Sequence, residues 1–302
     1  LGVGVAFVYT GIAVLIYERY EGQRMDGALG LRSGANSAGA AVWPLVGGAL
    51  GTVSWQLPFG VYLIALPLGL LAVALIPESG RAAAADGGAG DDGGPGDGNP
   101  DHDDAAGGVG GVLAVVRRRP ALLAVYLLYF GANALLYSIV VFYPQLLAGI
   151  GTTSSLSISL YLAANGAAGG VSAALYDRLV QRVSRHVLVV AAFALWLGAF
   201  VTATAADSPL AAVPPVVGFG LGLGLVFPSA FSWIEALAPA DRQGQFSSYL
   251  ASAGYVGQFL APVLFGPLVP VFGVRGVFGA AAVAAGGGVL ALGAALTRRR
   301  LR

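Results

Sequence analysis

The chain has no cysteine and no lysine, a single methionine at position 25, and two histidines among its 302 residues. Without cysteine there can be no disulfide, no thiolate metal site and no thiol catalysis. Without lysine no Walker loop can form, and neither a zinc-protease pair nor a nucleophile elbow occurs. His102 lies in a stretch rich in Gly and Asp, and His186 sits beside Arg185, positions that suit solvated residues. Charge is scarce as well, with 10% charged residues against 57% hydrophobic ones, a balance no water-soluble domain could bury. The expectation is therefore no enzyme, no cofactor, no metal and no nucleic-acid partner.

What the chain has is long apolar runs. A span needs roughly 20 apolar residues to cross a hydrocarbon core of about 30 Å. Nine stretches meet that need, near 1 to 17, 27 to 50, 57 to 77, 120 to 144, 156 to 175, 187 to 206, 211 to 234, 246 to 270 and 276 to 297. The fold expected is all-α and polytopic, with the lipid bilayer as its first partner. Gly and Pro inside the spans fit this, because small residues let helices approach and neighbours satisfy freed backbone groups. The alternating Gly218, Gly220, Gly222 and Gly224 read as close helix packing rather than as a nucleotide loop.

All 16 basic residues are arginine, and fifteen of them fall in alternate connections or at the C-terminal tail: Arg19, Arg24 and Arg32, then Arg81 and Arg117 to Arg119, then Arg178, Arg182 and Arg185, then Arg242, then Arg298 to Arg300 and Arg302. The opposite connections hold only Asp207 and Arg275. By the positive-inside bias the arginine-rich side is cytoplasmic, which puts the C-terminus and the central connection inside the cell.

Shifted by 218 positions, the chain matches itself at punctuating residues: Arg24 falls on Arg242, Gly39 on Gly257, Pro44 on Pro262 and Gly48 on Gly266. Residues 1–78 thus echo 219–296, the mark of a carrier built from two related halves. The halves read as 1–78, a partial N-terminal half, and 113–302, a six-span C-terminal half. Between them, 79–112 carries seven Asp from Asp86 to Asp104 among glycines and reads as a disordered acidic linker. Symmetry predicts three further spans before Leu1, for twelve in all.

The repeat, the topology and three local patterns make the chain resemble the major facilitator superfamily. Gly2, Gly4 and Ala6 are similar to the tail of its fourth-helix motif. Gly39 to Gly48, with Pro44, Gly47 and Gly48, is similar to the fifth-helix signature of the drug and proton antiporter branch, with Trp43 where that signature carries glycine. Asp177, Arg178 and Arg182 are similar to the family's loop motif, with Ala173 and Val180 where glycines are usual. The resemblance implies that residues 1–78 correspond to helices 4 to 6 and that 113–302 correspond to helices 7 to 12. It also implies movement of a small solute by alternating access.

Asp177 and Glu235 end spans on the side of Arg178, Arg182 and Arg242, so a cytoplasmic ion-pair gate is expected there, with Glu18 and Arg24 as its first-half relatives. For the solute cavity, helical spacing selects Tyr126, Tyr129, Asn133 and Tyr137 on one stripe of the fourth span. Tyr161 with Asn165, Ser232 with Trp233, and Tyr255 with Gln258 are shorter sets. Polar groups at membrane depth are costly and face protein or water. No Asp, Glu or His sits at mid-span, so a coupling proton or ion would need a group upstream of Leu1. Such a cavity suits an uncharged or cationic amphipathic solute. Export of a drug-like compound or metabolite is the favoured reading. The alternatives are uptake of a sugar or other metabolite by the same fold, a lipid-modifying membrane enzyme, and a non-transporting truncated paralogue.

Overall fold

The computed structural model of the protein describes residues 12, 15, 16, 20, 22–75, 117–239 and 242–300. The first expected span, Glu18 and the linker 79–112 lie outside the described residues almost entirely.

All regular structure among the described residues is helical. α1 (Gly22–Gly51) is followed by the short α2 (Leu57–Gly60), a 3-10 turn (Val61–Ile64) and α3 (Ala65–Leu75). Then come α4 (Pro120–Gly149), α5 (Ser155–Val180), α6 (Arg185–Ala205), α7 (Val213–Leu237), α8 (Gln243–Phe265) and α9 (Val269–Arg300). The starts are written in local chemistry. α4 opens on Pro120, whose fixed φ suits the first turn and whose missing N–H would have no partner there. Ser154 and Ser184 hold extended backbone just before α5 and α6.

Among the described residues, six stretches are long and apolar enough to cross a membrane: Leu57–Ala74, Pro120–Gly149, Ser155–Val180, Arg185–Ala205, Val213–Leu237 and Gln243–Thr297. The expected nine is not reached, for two physical reasons beyond the undescribed first span. α1 carries Arg24, Asp26 and Arg32 in its first half, which leaves Ala38–Gly51 as its apolar part. The last stretch is 55 residues long, enough for two crossings, and joins α8 to α9 through a 3-10 turn (Gly266–Leu268) rather than through a loop. The break falls at Gly273, where φ is 68° and ψ 177°, a backbone shape that glycine adopts without a Cβ penalty.

The helices associate as α4 with α8, α5 with α7, α6 with both α7 and α9, and α1 with α5. α7 explains how. A Cβ at Gly220 or Gly224 would run into backbone of α5, at the carbonyls of Asn165 and Gly169 respectively, while one at Gly222 would run into the Trp196 indole of α6. Alternate glycines therefore flatten two sides of one helix, as the run 218–224 foretells, and let dispersion act at close range where lipid removes the usual hydrophobic drive. Trp196 is fully buried, stacks on Phe219 with ring centroids 5.0 Å apart, and donates its indole N–H to the Phe219 carbonyl at 2.8 Å.

Candidate solute-binding site

α4, α7 and α8 converge around one polar pair. Asn133, 2% exposed, donates from Nδ2 to the Tyr129 carbonyl at 2.8 Å, and its Oδ1 accepts from Gln258 Nε2 at 2.8 Å. α8 comes this close because it presents glycine: a Cβ at Gly254 would lie 2.6 Å from Tyr129 Cε1 and 3.0 Å from Asn133 Nδ2. The buried Tyr129 ring leans on Phe227 and Phe231 of α7, at centroid separations of 5.1 and 5.7 Å. One turn towards the start of α4, the half-buried Tyr126 donates its hydroxyl to the Phe246 carbonyl of α8 at 3.2 Å. Tyr137 is half-buried and Tyr255 exposed.

The stripe on α4 is thus one physical unit, and three of its members engage neighbouring helices. Tyr129 and Asn133 fill the contact between helices, while Gln258, half-buried, completes it from α8. α4 and α8 contain no charged residue, and α7 has only Glu235, two residues from its end.

The other expected cavity residues are spread elsewhere. Tyr161 donates to the Pro209 carbonyl at 2.8 Å, and the buried Asn165 donates from Nδ2 to the Val216 carbonyl at 2.9 Å. Tyr161 thus ties α5 to the α6–α7 connection, and Asn165 ties it to the first turn of α7. Tyr143, which spacing did not single out, reaches the same connection from α4 by donating to the Ala212 carbonyl. Arg275 reinforces that end from α9, donating to the Thr204 carbonyl at 3.2 Å and the Ala206 carbonyl at 2.6 Å. Ser232 and Trp233 are half-buried, and the Trp233 ring lies 4.9 Å from the His186 ring at the start of α6.

At the opposite end Asp177, Arg178, Arg182 and Glu235 are exposed. Among the described residues no ion pair joins these acids to Arg178, Arg182 or Arg242. Arg242 instead donates from Nε to Gln245 Oε1 at 2.9 Å and lies 5.8 Å above the Phe246 ring. Gln245 Nε2 in turn donates to the Tyr249 hydroxyl at 3.2 Å. The Arg242, Gln245, Tyr249 file runs at steps of three and four, a helical signal that the sequence carries as plainly as the α4 stripe. Arg119 and Gln243 cap the end of α7, donating to the carbonyls of Leu237 and Glu235. Arg24 is exposed on α1. Of the fifth-helix motif, Gly39 lies against its own Trp43, Pro44 sits inside α1, Gly47 is open, and Gly48 abuts Ser159 of α5.

Among the described residues, all-helical structure with six membrane-length apolar stretches and small-residue interfaces defines a polytopic membrane protein. The family profile described as Major Facilitator Superfamily matches residues 1–262, and the chain belongs to that superfamily. Among solved structures it is similar to a mutant of the peptide transporter POT in complex with sulfate, at 21% identity and a TM-score of 0.49. That match covers 58% of this chain and 37% of the other, so the chain spans well under two thirds of that transporter's length. No curated protein matches.

Proposed function

We propose that the protein is a secondary transporter that moves a small solute across the cell membrane by alternating access, with export of a drug-like compound or metabolite as its direction. The observation that carries the reading is the Asn133–Gln258 amide pair, held at 2.8 Å between α4 and α8, two helices without a single charge. Amides are costly in hydrocarbon and are retained where they recognise or position something.

The contact between α1 and α5 supports the alternating part of the reading. Gly51 faces Ser155, Gly48 faces Ser159, and Gly166 faces Ala40. The paired numbers rise on one helix as they fall on the other, so the helices run antiparallel and touch along 40–51 and 155–166. By the positive-inside reading this is the outer end, while Arg24, Leu31 and Asn36 of α1 and Asp177 and Arg178 of α5 are exposed towards the inner end. The arrangement corresponds to a carrier closed outside and open inside. Asp177 or Glu235 then pairs with Arg178, Arg182 or Arg242 only when the inner side shuts.

The test is accumulation of an uncharged lipophilic dye in cells with and without the protein. Lower steady-state accumulation in expressing cells is expected. Equal accumulation across several dyes and drug-like compounds removes export, and higher accumulation reverses the direction.

A further inference from the structure

We infer that Gln258 is the residue that reads the solute, that Asn133 is a positioning residue for it, and that the group recognised is an uncharged edge with an N–H donor beside an acceptor, as in a primary amide or lactam. This rests on the transporter reading and narrows its solute class.

The argument starts from a backbone carbonyl, which can only accept a hydrogen bond. Tyr129 O therefore takes a donor, and the Asn133 group 2.8 Å from it must be the Nδ2 amide nitrogen. Once Nδ2 is committed, Oδ1 is the end of Asn133 that faces α8, and it demands a donor in its turn. Gln258 supplies one from Nε2 at 2.8 Å. The polarity of the peptide bond is thus relayed through two side chains, and it sets which end of Gln258 is oxygen. Gln258 is left with Oε1 and the second N–H of Nε2, an acceptor and a donor side by side.

Burial separates the roles. Asn133 is 2% exposed, walled in by the close approach of Gly254, and has no face to offer a solute. Gln258 is only half-buried. On the same helix Tyr255 is exposed, one turn before it, so an aromatic surface adjoins the amide. The charge census sets the class: α4 and α8 hold no charged residue, and Glu235 and Arg242 sit at helix ends, about 20 residues from Gln258 in chain order or about 24 Å along α8 in the case of Arg242. A carboxylate or ammonium brought to Gln258 would meet no counter-charge from α4 or α8, whereas an amide edge would satisfy both free positions at once.

The experiment measures binding of benzamide and N,N-dimethylbenzamide to the purified full chain in detergent, since the two probes share ring and carbonyl and differ in the N–H donors. Wild type is expected to bind benzamide about tenfold tighter or better, because leaving a buried acceptor unpaired costs a factor of that order. Gln258→Leu should bring the ratio close to one. Asn133→Leu should lower the ratio while Gln258 is still present, because the amide is then free to turn. A merely structural role for Asn133 would weaken both probes alike and leave the ratio unchanged. Equal binding of the two probes by wild type, binding of neither, or an unaltered ratio in Gln258→Leu overturns the assignment; if Asn133→Leu does not fold, Gln258→Leu decides alone. Exchange of labelled benzamide across proteoliposomes separates the two readings: discrimination in binding without exchange sinks the transporter reading and leaves the amide site standing.

Discussion

The hydroxyls of Tyr176 on α5 and Ser229 on α7 lie 3.0 Å apart in the buried interface, and Ser229 Oγ also lies 2.8 Å from the Leu225 carbonyl. Because that carbonyl can only accept, the serine proton goes to it and the tyrosine donates to Ser229. Tyr176→Phe removes one donor and leaves Ser229 bonded to its own helix. The expected loss of stability is therefore small, about 0.5 to 1.5 kcal/mol. Thermal unfolding of the detergent-solubilised variant should shift down by a few degrees; an unchanged or raised midpoint contradicts the bond.

Two glycines should behave in opposite ways. Gly222→Ala drives a methyl into the Trp196 indole, which is fully buried and bonded to Phe219, so overpacking of about 1 to 3 kcal/mol is expected. Gly279→Ala on α9 meets nothing within 4 Å and should gain up to about 1 kcal/mol of helix propensity. Monodisperse yield and unfolding midpoint should fall for the first and hold or rise for the second. A common direction would show that the α6–α7 contact is looser than drawn.

Arg275 closes the last turn of α6 from outside the helix, supplying donors to carbonyls that have no intrahelical partner and placing a cation at the negative end of the dipole. Arg275→Ala should speed hydrogen exchange at residues 200–206 by several-fold and leave 186–192 untouched. Uniform protection along α6 would mean that the guanidinium contributes little.

The proposed gate is open to a direct test because the sequence has no cysteine, so one introduced thiol is the sole reactive one. With cysteine at Ser252, Asp177→Asn should raise labelling by a membrane-impermeant reagent from the cytoplasmic side, since loss of the pair disfavours inner closure by about 1 to 3 kcal/mol. Labelling identical to the Asp177 protein on both sides would reduce Asp177 to an exposed anchor.

Ser159→Leu should do the reverse at the other end. Ser159 is buried against Gly48, and a larger side chain cannot fit between α1 and α5 without parting them. The same thiol should then label faster from outside; unaltered outside labelling would show that the two helices can separate elsewhere.

Much of this was legible beforehand. The apolar runs near 120 to 144, 156 to 175, 187 to 206 and 211 to 234 lie on α4 to α7, overrunning them by two residues at most, because a bilayer demands long uninterrupted helices and Pro120 and Ser184 mark starts. The α4 stripe was legible as a face, and it is one. What it touches was not, because a period of 3.6 names the residues that share a side but not the partner that covers them. Gly254 on α8 decides that Asn133 is walled in and Gln258 left accessible, and a glycine's meaning depends on the backbone opposite. For the same reason the spacing that pairs Tyr161 with Asn165 did not name the carbonyls of Pro209 and Val216 as their partners. The run from 243 to 297 breaks at Gly273, within the connection expected between 270 and 276, while the 3-10 turn at Gly266–Leu268 just before it has no polar signal in the sequence.

That turn at Gly273 has a practical side. At this end of the bundle one hairpin reverses within a few residues around Gly273, and the other, from Thr204 to Val213, is pinned by Tyr143, Tyr161 and Arg275. Little polypeptide stands proud there for an antibody to grasp, a protease to nick or an epitope tag to ride on. Insertions at 206–212 or 270–275 would tear out side-chain bonds or the glycine bend, so reporters of this face are better carried as single substituted residues than as added sequence.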